Sequence, residues 1–141
     1  MPSQLLGYLI FFAGLAQIAL VLGSTAIPKL LNWKEELLKT NLLIRQIFWT
    51  YAGYILVINF SFGLLSILGV QELLNRSFLA KAVTLFIALY WITRILIQFF
   101  YFDTSSAPKG LIYKVGEITL ILLFFFLAII YSWAFICNCR L

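Results

Sequence analysis

The chain has 141 residues, 64% of them hydrophobic and 11% charged, with a net charge of +5. Soluble domains carry about 25% charged residues, so this composition excludes a chain that must solvate a globular surface and points to an integral membrane protein. There is no His and the only Met is residue 1, which excludes His-ligated zinc or copper, haem held by His or Met, and His-based acid–base catalysis by this chain alone.

The first apolar run covers residues 5–27, and Pro28 ends it. Its 23 residues suffice to cross a hydrocarbon core of about 30 Å. No Lys or Arg precedes it, so it lacks the basic start of a cleaved signal peptide and reads as a retained helix. Gly7, Gly14 and Gln17 fall on one stripe. Small residues allow two helices to approach closely and an amide can bond across the gap, so this stripe is expected to face a neighbouring helix.

Residues 29–46 form the longest polar connection. Asn32 followed by Glu35 has the spacing of an N-cap and its reciprocal partner, and Glu35 and Lys39 stand four apart. The pattern predicts a short helix at the membrane interface that runs directly into a second span over 47–68. Trp49, Tyr51 and Tyr54 suit the headgroup belt at the start of that span. Farther in, Asn59, Gly63 and Ser66 share a stripe and read as helix-packing residues.

After a short polar loop, the third span is expected over 78–102, with Tyr90, Arg94, Gln98 and Tyr101 on one face. The turn Asp-Thr-Ser-Ser-Ala-Pro-Lys-Gly at 103–110 leads to a fourth span over 111–136, which carries Tyr113 and Glu117 in its first two turns. Arg94 and Glu117 are equally far from the midpoint between Ser105 and Ser106. In a symmetric antiparallel hairpin both would lie roughly 15 Å in from the turn. An unpaired charge there costs about 2.5–3.5 kcal/mol. The expectation is therefore an Arg94–Glu117 ion pair, within a polar cluster that also holds Gln98, Tyr90 and Tyr113.

The basic residues set an orientation. The first and third connections hold Lys29, Lys34, Lys39, Arg45, Lys109 and Lys114, against Arg76, Lys81 and Arg140 at the opposite side. Six against three favours both termini outside and the first and third connections in the cytoplasm. The expected location is a bacterial inner membrane. Cys137 and Cys139 form a C-x-C near the end of the chain, and two thiols alone cannot complete a tetrahedral metal site. No metal site and no cofactor are expected.

The expected architecture is an all-α integral membrane four-helix bundle, one domain over 1–141. Its expected function is that of an accessory, structural subunit within a larger membrane complex. Its partners are membrane lipids and other subunits rather than nucleic acid; a bound lipid and a homo-oligomer are compatible with the same surface. The alternatives are a small oligomeric transporter or channel using Glu117 and Arg94, and a lipid- or quinone-binding protein. No residue set here resembles a catalytic kit, so the chain is not expected to be an enzyme.

Overall fold

The fold, given by a computed structural model, is described for residues 2–101 and 110–140. Four long helices dominate: α1 (Pro2–Ser24), α4 (Leu42–Leu68), α6 (Phe78–Phe100) and α7 (Leu111–Cys139). Three short ones connect them: α2 (Ile27–Leu30), α3 (Trp33–Leu37) and α5 (Val70–Leu73). Four segments, Gln4–Lys29, Leu42–Leu68, Phe78–Phe100 and Tyr113–Cys139, are long and apolar enough to cross a membrane. At about 1.5 Å per residue, even the 23 residues of α6 extend past a 30 Å core.

The helix starts follow from local chemistry. Asn41 Oδ1 accepts the Ile44 N–H at 2.9 Å, and Ser77 Oγ accepts the Ala80 N–H at 3.1 Å. Each satisfies one of the donors that a helix start leaves without an intrahelical partner. The Asn41 cap also explains why α4 begins at Leu42, earlier than the expected start at 47.

The connection between α1 and α4 differs from the single interfacial helix expected there. It is broken into α2 and α3 by Asn32, whose backbone is left-handed at φ 54°, ψ 45°. In that conformation the Asn32 side chain makes no capping bond, although its carbonyl accepts from the Glu36 N–H at 3.0 Å. Thr40 then closes α3 by donating its hydroxyl to the Leu37 carbonyl at 2.7 Å. The segment therefore stops before α4 instead of running into it. Lys39 pairs with Glu36 at 3.1 Å, three residues away, rather than with Glu35.

The four long helices bury residues at alternating spacings of four and three. On α1 these are Leu6, Ile10, Ala13, Gln17 and Leu20; on α6, Ala80, Thr84, Ile87 and Trp91. On α4 they are Asn59, Gly63 and Ser66, and on α7 Phe124, Leu127, Tyr131, Ala134 and Asn138. That average of 3.5 is the spacing a left-handed bundle uses at its seam. Seven residues forward on α1, from Gly7 to Gly14, correspond to seven back from Val70, the first residue of α5, to Gly63 of α4, so α1 and α4 are antiparallel. The second close pair is α6 with α7. Contacts of α1 with α7 join the pairs on one side, and Phe62 of α4 against Phe86 and Tyr90 of α6 joins them on the other.

Between α1 and α4 the approach is close enough to touch backbone. A Cβ on Gly14 would lie 2.8 Å from the Gly63 carbonyl oxygen, and one on Gly63 would lie 3.0 Å from that of Gly14. Gly7 is looser, with Val70 Cγ1 at 3.5 Å from the same imagined atom.

Candidate functional site

Arg94 and Glu117, which the sequence suggests as partners, are not brought together. Among the described residues the one ion pair is Lys39–Glu36. The Arg94 guanidinium lies over the Phe124 ring, 4.9 Å from its centre, and Nη1 donates to Gln98 Oε1 at 3.3 Å. The reason is the register of α6 against α7. Trp91 stacks on Phe124 and Phe99 meets Phe125, so Arg94 is level with Phe124. Glu117 is seven residues farther toward the start of α7, or about 10 Å along the axis. The hairpin is lopsided: α6 ends one residue after Phe99, whereas α7 reaches back from Phe125 to Leu111. Equal counting from the turn assumes equal arms, and these arms are unequal. Residues 103–109 of the turn lie outside the described residues.

The other members of the expected cluster are spread along the molecule. Tyr90 donates its hydroxyl to Asn59 Oδ1 at 2.7 Å, joining α6 to α4. Tyr113 is half-buried in the first turn of α7. Glu117 is also half-buried.

The polar centre lies elsewhere, at a node to which each long helix contributes one side chain. Gln17 of α1 is fully buried, and its Nε2 donates to Tyr131 Oη of α7 at 2.7 Å and to the Ala13 carbonyl at 3.3 Å. Its Oε1 accepts from Trp91 Nε1 of α6 at 3.2 Å. Tyr131 Oη in turn shares a short hydrogen bond with Ser66 Oγ of α4. An indole N–H can only donate, so the Gln17 oxygen must face Trp91 and its nitrogen Tyr131. Both amide donors are used, and the hydroxyls bond each other. Ser66, Trp91 and Tyr131 are each at most 1% exposed. This is a fully connected buried network, the kind that fixes one arrangement of helices.

A second pin closes one end of the bundle. Asn138, 2% exposed, donates Nδ2 to the Leu73 carbonyl at 2.7 Å and accepts the Arg76 N–H on Oδ1 at 3.2 Å. It thereby ties the end of α7 to the turn between α5 and α6, where Arg76 is held at φ 63°.

Gln17 and Ser66 stand on packing stripes of the sequence, but their partners are not legible there. Taken alone, Tyr131 suits an interfacial aromatic and Asn138 a polar residue near a helix end. The available signal was periodic: Ala128, Tyr131, Ala134 and Asn138 lie on one stripe of an otherwise bulky apolar helix. Small residues flanking two polar ones mark a face turned to other helices.

Chemically, the node offers hydroxyls, an amide and an indole, all engaged with one another. Among the described residues no three His, Cys, Asp or Glu side chains converge to hold a metal ion. Compared with protein-family models, with curated proteins and with solved structures, the chain matches none.

Proposed function

We propose that the chain is a small membrane-inserted helical bundle that serves as an accessory, structural subunit within a larger membrane complex. The observation that carries this reading is the division between a closed interior and an open exterior. Inside, the Gln17–Trp91–Tyr131–Ser66 node consumes the central polar groups of all four long helices. A bundle knotted at its centre is suited to rigidity rather than to passing a solute between its own helices.

Outside, large apolar side chains cover every long helix, including Phe12, Tyr51, Phe78, Phe86, Phe100 and Ile129. Less of α4 and α6 is buried within the bundle than of α1 and α7, so their outward faces have the most area for a neighbour. In lipid, helices associate through shape and small polar contacts rather than hydrophobic driving force, and those faces also carry the exposed Thr50, Ser61 and Thr93.

The test is gentle extraction of a tagged chain followed by size analysis and identification of what stays bound. The expected result is a discrete assembly with other membrane chains in fixed stoichiometry. Recovery of the chain as a lone monomer or as a homo-oligomer only, across several mild detergents, would sink the subunit reading.

A further inference from the structure

The connection between α1 and α4 holds a groove of about 440 Å³ lined by Pro28, Lys29, Asn32, Lys34, Glu35 and Trp49. That size falls among small-molecule clefts, which run to roughly 300–1,000 Å³. One wall is aromatic: Trp49 lines it and meets Trp33 edge-on at 6.0 Å, and Trp33 in turn meets Phe48 at 4.9 Å. The left-handed turn at Asn32 folds α3 back so that Trp33 reaches α4.

The cations here are uncommitted. Among the described residues Lys39 is the one lysine in an ion pair, with Glu36. Among the described residues the side chains of Lys29, Lys34 and Arg45 make no hydrogen bond or ion pair, and Arg45 Nε is buried without a partner. Arg45 stands three and four residues before Phe48 and Trp49, hence on the same helix face as the aromatic wall. A guanidinium nitrogen that gives up water without gaining a protein acceptor favours an anion beside it. Glu35 is the one carboxylate lining the groove, against Lys29 and Lys34, which leaves an excess of one positive charge before Arg45, one turn from Trp49, is added.

The groove also sits where a lipid headgroup would be. It lies at the junction of the end of α1 and the start of α4, beside tryptophans of the kind that collect at the headgroup level. Along α4 from Trp49, the exposed Val57, Phe60 and Leu64 recur on the same helix face and provide a path for acyl chains.

We infer that this groove binds an anionic phospholipid, its phosphate held by Lys29, Lys34 and Arg45 and its chains laid along α4. Hydroxyls of a phosphoglycerol headgroup would donate to Glu35. The inference rests on the reading that the four long helices cross a bilayer, and not on a partner complex.

The test uses the full chain in phosphatidylcholine vesicles doped with either brominated phosphatidylglycerol or brominated phosphatidylcholine at the same mole fraction. Tryptophan quenching reports which lipid resides beside Trp33 and Trp49. Phosphatidylglycerol is expected to quench more strongly. Each of Lys34→Gln and Arg45→Gln should weaken that preference, by roughly fivefold per charge near the surface, while Arg140→Gln at the opposite end leaves it intact. Equal quenching by the two lipids overturns the site, as does an unchanged preference in both groove variants. So does relief of the quenching by an acidic peptide at a concentration where inorganic phosphate has no effect, since the groove would then prefer a protein partner. Failure of the chain to float with vesicles after alkaline washing would instead refute the membrane reading itself.

Discussion

At the scale of single residues, the polar groups divide into those that tie helices together and those that do not. Tyr131→Phe keeps the ring and removes the oxygen shared by Gln17 and Ser66. Interhelical hydrogen bonds in bilayers average about 0.6 kcal/mol and reach about 1.7, so the loss of two should cost about 1–2 kcal/mol. Gln17→Leu strands the Trp91 indole N–H and leaves the Tyr131 hydroxyl with Ser66 alone, and an unsatisfied buried group costs about 1–3 kcal/mol. It should therefore be the worse substitution. Unfolding by rising SDS fraction in mixed micelles measures both, and a Tyr131→Phe protein that unfolds with the parent would show that the node contributes nothing. For Arg94 and Glu117 the expectation is independence: separated by about 10 Å along the bundle, their alanine substitutions should add within about 0.5 kcal/mol. A larger coupling in the double-mutant cycle would mean that the two charges do meet.

At the scale of elements, the α1–α4 contact depends on two glycines, and the geometry ranks their substitutions. At Gly14 a new Cβ meets the Gly63 carbonyl oxygen and Ile67 Cγ1, both at 2.8 Å, so backbone must move. At Gly63 the nearest atom is Ile18 Cδ1 at 2.8 Å, the end of a flexible side chain, with the Gly14 oxygen at 3.0 Å. Gly14→Ala should cost about 1–3 kcal/mol, as overpacking does, and Gly63→Ala less. Gly53 lies mid-helix with open space around it, so Gly53→Ala should stabilise by about 0.5–1 kcal/mol. The same micelle titration reads this order, and a Gly14→Ala protein as stable as Gly53→Ala would remove the close approach. The four long helices and the stripe bearing Gly14 and Gln17 were legible in the sequence because apolar length and helical spacing are local properties. The Arg94–Glu117 pairing failed because hairpin register is set by packing along whole helices, here by Trp91 and Phe99 against Phe124 and Phe125. Tyr131 and Asn138 were passed over because each looks ordinary alone, and only the arrival of three other helices gives it partners.

At the scale of the whole molecule, the fold sorts its charges to two ends. Lys29, Lys34, Lys39 and Arg45 cluster where α1 stops and α4 starts, and Lys114 lies in the first turn of α7 at the same end. Arg76, Lys81 and Arg140 occupy the other end, where Asn138 pins the α5–α6 turn. From the bias of lysine and arginine toward the cytoplasmic side, the expected orientation has the groove end inside and Cys139 outside. Cys139 is exposed and unbridged, so in intact cells it should react with a membrane-impermeant maleimide. A Lys34→Cys protein that also carries Cys137→Ser and Cys139→Ser should react only after the membrane is opened. The opposite pattern inverts the orientation and places the phospholipid groove in the outer leaflet. Labelling of both positions from outside, without permeabilisation, would mean that the two ends share one compartment, and a bundle whose long helices cross the bilayer cannot have that.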